Sequence, residues 1–214
     1  SPLAVHEPRL LAPPLPGDLP VRSTNRLLDV AETSWRTAHE GGYVNDQVDR
    51  GGETYRGIAR VHHPDWSGWG RIDAARRKKG FPKILGSDRS LQAKVKSFYK
   101  KAYWDRFGGD DMPDQAVANE LYDTAVNMGV RRAVRFLQSS INLLNRNQRD
   151  YYDLVIAGWF GAKSLASVNA LLEKDRRSDA LVKLMNIQQG ARYIEIMAHD
   201  SSQERFARGW IKRA

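Results

Sequence analysis

Between residues 40 and 58 the chain reads Glu-Gly-Gly-Tyr-Val-Asn-Asp-Gln-Val-Asp-Arg-Gly-Gly-Glu-Thr-Tyr-Arg-Gly-Ile, and no other stretch constrains the fold as tightly. Upstream, Leu27, Leu28, Ala31, Trp35 and Ala38 recur at helical spacing behind an N-cap at Ser23 or Thr24. Gly41-Gly42 then stops that helix, because glycine enters the left-handed C-cap conformation without a Cβ penalty. Glu40 therefore falls in or just after the last turn. From Tyr43 to Val61 the apolar positions are short and broken by Gly51, Gly52 and Gly57, a pattern that predicts a small β-hairpin.

This layout suits acid chemistry. Cleaving a glycosidic bond needs a protonated acid beside the leaving oxygen and a second group that positions water or stabilises charge at the anomeric carbon. At a helix C-terminus the negative end of the macrodipole raises a carboxyl pKa, and burial in a cleft raises it further, so Glu40 fits the first role. Asp49 lies on the following loop and Thr54 offers a small hydroxyl able to hold a water. Asp46 competes with Asp49 as the second carboxylate.

The rest of the chain is helical in period. Leu91–Phe107 is aromatic-rich, Ala116–Val126 precedes Asn127-Met128-Gly129, and Val130, Ala133, Val134, Leu137, Ile141 and Leu144 form one apolar stripe. A break at Ala157–Gly161 separates these from helices expected over Leu165–Leu172 and Ala180–Ala198, while His62–Trp69 reads as a loop. Six of the nine prolines fall in residues 1–22, which predicts an extended tail or linker. The expected fold is thus α+β and predominantly α-helical, with a hairpin next to the helix that carries Glu40.

Composition narrows the partners. Without cysteine there are no disulfides, thiolate metal sites or thiol nucleophile. A net charge of +9 favours a polyanion, such as nucleic acid, acidic headgroups or bacterial envelope polymers. No apolar run approaches the roughly 18 residues of a membrane span, and no basic segment followed by an apolar run marks a signal peptide, so stable membrane insertion is not expected. His62-His63 with Asp65 lacks the spacing of a metal motif, and no metal or cofactor is expected. A helix-turn-helix drawn over Ala116–Leu137 would turn Glu120 and Asp123 toward phosphate and bury its recognition face, which argues against nucleic acid.

The Glu40–Tyr43 and Asp49–Ile58 runs resemble the signature of glycoside hydrolase family 108, an N-acetylmuramidase group of the lysozyme-like superfamily. The resemblance continues through Tyr103-Trp104, Leu121-Tyr122-Asp123, Asn127-Met128-Gly129 and Ala133–Gln138. It implies a lysozyme-like catalytic domain over 23–140, with Glu40 as the catalytic glutamate and Asp49 and Thr54 as the supporting pair. Residues 157–165 and 206–213 resemble the small peptidoglycan-binding module of the same family, which implies a segment over 141–214 packed on the catalytic domain. Ala157 and Ser164 stand where such modules usually carry Asp and Thr. The implied activity is hydrolysis of the β-1,4 bond between N-acetylmuramic acid and N-acetylglucosamine, by a monomer acting on peptidoglycan strands in an anionic bacterial envelope. The expected setting is a bacteriophage endolysin moving from host cytoplasm to cell wall, with a bacterial wall-remodelling or secreted antibacterial enzyme as the alternative and a non-catalytic wall-binding protein as a third reading. Tyr43, Asp46, Tyr55, Trp66, Trp69, Tyr122 and Asn127 are the expected substrate contacts, with Tyr43, Tyr55, Trp66, Trp69 and also Trp104 suited to stack on sugar rings.

Overall fold

The computed structural model of the protein describes residues 42–45 and 52–214. Glu40, Asp46 and Asp49, the helix expected before Gly41 and the proline-rich segment lie outside the described residues. Three short strands, β1 (Tyr43–Asn45), β2 (Glu53–Tyr55) and β3 (Ile58–Ala59), form one antiparallel sheet in the order β1-β2-β3. The expected hairpin is therefore a three-stranded sheet, because Arg56-Gly57 reverses the chain a second time. Both residues have positive φ, 46° and 79°, the requirement of a two-residue turn whose twist matches the strands. Tyr99 closes the turn from below, its hydroxyl donating to the Arg56 carbonyl at 2.7 Å. A Cβ at position 57 would stand 2.9 Å from that hydroxyl oxygen, so only glycine meets both the dihedral and the contact.

Helices α1 (Trp69–Ala75) and α2 (Arg89–Ala102) support the sheet. Asp88 caps α2 by accepting from the Leu91 amide at 3.0 Å, and Leu91, Val95 and Tyr99 bury one face of it. Gln92 donates both to the Tyr55 hydroxyl (2.9 Å) and to the Leu85 carbonyl (2.8 Å), which ties the sheet to α2. The helix expected to run to Phe107 stops at Ala102. Tyr103 leaves helical dihedrals, and Trp104–Phe107 forms a separate 3-10 turn with the Trp104 indole donating to Asp110 at 2.8 Å. Helix α1 begins at Trp69, the end of the stretch expected to be a loop, its seven residues being too few to show a period.

Next come α3 (Gln115–Met128), capped by Asp114, and α4 (Val130–Leu144). The expected stripe of α4 is buried at Ala133, Val134, Leu137 and Ile141. After α4 the chain makes a left-handed turn at Arg146, Asn147 and Gln148 and then runs extended to Gly161. Helices α5 (Ala162–Asp175), α6 (Asp179–His199) and α7 (Ala207–Arg213) complete the described chain and contain both helices expected there. Helix α6 returns onto α3 and α4. Gln188 donates to Ser140 (2.7 Å) and to the Phe136 carbonyl (3.0 Å), and Gln189 donates to Thr124 (3.1 Å). One apolar core runs from Tyr55 and Ile58 under the sheet to Leu181 and Met185 in α6. The architecture is the helix-dominated α+β class with a small antiparallel sheet. No described helix is long and apolar enough to cross a membrane.

Replacing Gly57 by Ala forces a Cβ into a left-handed turn against Tyr99. The substitution is expected to lower unfolding free energy by about 1–2 kcal/mol, read as a reduced urea midpoint at unchanged m-value.

Candidate active site

The sheet sorts the motif by alternation. Tyr43 pairs with Tyr55, and Val44 with Thr54, so one face carries Tyr43, Glu53, Tyr55 and Ile58 while Val44, Thr54 and Ala59 share the other. Tyr55 and Ile58 face the core, at 2% and 0% exposure, whereas Val44 is half exposed. Thr54 is thus carried on the open face of a strand whose neighbouring side chain is anchored in the interior. Its expected partners Glu40 and Asp49 lie outside the described residues.

Glu53, which the sequence reading passed over, anchors the sheet to α1. Its carboxylate receives Arg60 at 3.0 Å and Arg76, and Arg60 also makes a two-pronged pair with Asp73 at 2.8 and 2.7 Å. Arg76 reaches Asp73 at 3.2 Å, closing a four-membered ring of charges. Arg60 holds the Asp73 carboxyl below the usual carboxylate range. Tyr43 borders this ring: burial raises its phenol pKa, the adjacent Glu53 carboxylate raises it further, and the Arg76 guanidinium lies 5.8 Å from its ring centre. The signal available in the sequence was the strand period, since a glutamate on the inward face of a strand must find a cation.

Burial revises the expected sugar platforms. Tyr55, Trp69 and Tyr122 are core residues, exposed by 2%, 2% and 0%, and closed rings cannot stack on a pyranose. The Trp69 indole donates to the His63 carbonyl at 2.7 Å, and Tyr122 packs edge-on against Trp104. Trp66 is half-buried, edge-on to Trp69 with ring centres 5.2 Å apart, and Tyr43 is half-buried against Phe81. Both retain open surface beside the sheet. Asn127 sits in the last turn of α3 with its amide donating to the Asp123 carbonyl at 2.7 Å. His63 packs edge-on to Phe98, and no group of three or more metal-ligating side chains occurs among the described residues.

One further carboxyl has the character of a buried acid. Burial pushes Glu120 in α3 up to about 7, against a weaker opposing effect of the Thr124 hydroxyl that donates to it at 2.9 Å. Thr124 in turn receives Gln189, which places Glu120 where α3 meets α6.

Comparison with known proteins divides the chain in two. Residues 34–129 match the family model "Glycosyl hydrolase 108", and residues 132–214 match the model "Predicted Peptidoglycan domain". The two matches meet at the junction of α3 and α4. Among solved structures the chain is similar to "Structure of Brucella abortus SagA", with 21% identity, a TM-score of 0.48, and coverage of 86% of this chain and 94% of that one. No curated protein matches.

The raised pKa of Glu120 predicts a pH dependence. Folding holds its proton more tightly than the unfolded chain, whose carboxyl titrates near 4.5. Its stabilising contribution is therefore complete below about 4.5 and is lost as pH rises through about 7. Glu120→Gln, which keeps the shape without the titration, should flatten the decline in Tm between pH 5 and pH 8. An unchanged slope in a series of thermal melts would assign that decline to other groups.

Proposed function

We propose that this chain, a glycosyl hydrolase 108 domain followed by a predicted peptidoglycan domain, is an N-acetylmuramidase that cuts the β-1,4 bond between N-acetylmuramic acid and N-acetylglucosamine. The observation that carries the reading is the pairing itself: a glycosidase region and a wall-polymer region in tandem on one chain. The positive charge of +9 supports approach to an anionic envelope, an attraction that weakens as salt rises. A bacteriophage endolysin that passes from host cytoplasm to the wall fits a basic, cysteine-free lytic enzyme, and a bacterial remodelling or secreted enzyme would use the same chemistry. Mass spectrometry of digested sacculi tests the bond: new reducing ends on muramic acid are expected. Reducing ends on glucosamine, anhydro products or free stem peptides would each name a different enzyme.

In this proposal Glu40 protonates the leaving oxygen, while Asp49 and Thr54 hold a water on the opposite face of the sugar. The open-face position of Thr54 on β2, fixed by the burial of Tyr55 beside it, supports a water-positioning role. Beside a covalent nucleophile the hydroxyl would have no evident task, so inversion is favoured, with the carboxyl groups about 6.5–9.5 Å apart rather than about 5–5.5 Å. Asp46 remains the competitor for the second carboxylate.

Losing a positioned general acid costs about 10²- to 10⁴-fold in rate, so Glu40→Gln should nearly abolish lysis of permeabilised Gram-negative cells while the thermal melt is unchanged. Retention of a tenth of wild-type activity would remove Glu40 from the role. Asp49→Ala and Thr54→Ala should each cut turnover severely, and rapid NMR should show the α-anomer as first product. A β-anomer would mean retention, and a dispensable Asp49 beside an indispensable Asp46 would exchange the two.

A further inference from the structure

Of the five described tryptophans Trp159 is the most open to solvent, at 65% exposure: Trp69 and Trp104 are buried, Trp66 is packed against the core, and Trp210 is half-buried, stacked on Tyr193 and Phe206. Its neighbours force it outward. Gly158, at φ 79°, lies against α4 so closely that a Cβ there would fall 2.6 Å from the Arg131 carbonyl oxygen and 2.5 Å from the Arg131 Cγ. Buried Gln138 grips the same turn, accepting from the Gly158 amide at 3.0 Å and donating to the Trp159 carbonyl at 2.9 Å. On the other side Phe160 packs inward, near enough to Gly108 that a Cβ there would stand 3.1 Å from its ring. The backbone on both sides of Trp159 is thus held, with the ring on the outside. The same segment also exposes Val155 and Ile156, and apolar side chains grouped on a surface mark a contact site.

The charge around the plate selects the ligand. The Arg131 guanidinium lies 5.8 Å from the Trp159 ring centre and donates to the Ala157 carbonyl at 3.3 Å, so the cation is positioned with the ring. Arg135 flanks Gly158 and Lys163 follows on the first turn of α5, both exposed. A pyranose offers an apolar C–H face to an aromatic plate, and the carboxylates of lactyl groups and stem peptides offer partners to the arginines.

We propose that Trp159 and Arg131 form a glycan-binding subsite for an N-acetylated, carboxylate-bearing wall strand, with Trp159 stacking on a sugar ring and Arg131 pairing with a carboxylate. The inference rests on the peptidoglycan reading and names residues, at the start of α4 and on the loop before α5, that grip the polymer. Its role is to hold the strand, apart from bond cleavage.

The full chain is mixed with purified sacculi at 4 °C for a short incubation and sedimented, with Trp159→Ala, Trp159→Tyr, Arg131→Gln and wild type in parallel. Trp159→Ala is expected to lose at least tenfold in apparent affinity, Trp159→Tyr to keep most of it, and Arg131→Gln to bind less tightly with a shallower salt dependence. Turnover of sacculi by Trp159→Ala should show the loss in KM rather than in kcat, which locates it in binding. Equal sedimentation of wild type and Trp159→Ala would overturn the subsite, as would a dimer by size exclusion that Trp159→Ala dissociates. Wild type that neither sediments with nor cleaves sacculi would overturn the peptidoglycan reading and the subsite with it. If Trp159→Ala melts below wild type, Trp159→Tyr and Arg131→Gln carry the test, and wild-type binding by Arg131→Gln at every salt concentration would sink the proposal.

Discussion

A row of side-chain amides on α4 holds the segment that follows this helix against it. Gln138, Asn142 and Asn145 stand on one face at helical spacing and bond the backbone of the extended segment that follows. Asn142 donates to the Leu154 carbonyl at 2.9 Å and accepts from its amide at 2.8 Å, as a neighbouring strand would. Asn145 accepts from the amides of Asp150 and Tyr151 and donates to the Tyr151 carbonyl. A segment without a ladder of its own would otherwise press unpaired peptide groups against the core, at about 1–3 kcal/mol for each buried orphan. The amides supply the missing partners, and in doing so set where α5 starts and how α6 returns to cover α3.

The apolar stripe runs beside these amides, Val134 one turn before Gln138 and Ile141 one turn before Asn145, so one helix serves both as a wall of the core and as a template for the segment that follows. Its position decides the rest. The Gln188 bonds to the Phe136 carbonyl and Ser140 need α4 under α6, and the Gln189 bond to Thr124 needs α3 beside it. The exposed Trp159 is the outer product of the same clamp. Gln138 fixes the backbone at Gly158 and Trp159, and the inward turn of Phe160 leaves the indole no route to the core.

At the other end, the sheet is too small to be stable alone, having eight residues in three strands among those described. Its rigidity is borrowed from α1 and α2: a ring of charges on Glu53, a buried Tyr55 gripped by Gln92, and a turn capped by Tyr99. A side chain carried on such a sheet has a fixed position relative to the core.

Much of this was legible in the residues themselves. The glycine spacing around Glu53–Ile58 announced tight turns, because only glycine takes positive φ freely, and the period of α4 announced its buried stripe, because burial selects apolar side chains every third or fourth position. Period and turn chemistry are local, and local rules read directly. Partnership is not. Tyr55, Trp69 and Tyr122 have the chemistry of sugar platforms, and only the packing of α1, α2 and α3 encloses them, while Trp159, equal to them in type, is left outside. Glu53 pairs with Arg60 and Arg76, seven and 23 positions away, and Gln138 reaches across 20 and 21 residues to Gly158 and Trp159. The sequence by itself determined the element types, the helix-dominated class and the carboxylate-and-hydroxyl motif. Which aromatics are buried, which amides replace a strand and which ring faces solvent were decided by tertiary structure, since burial and hydrogen bonding depend on what the distant chain brings alongside.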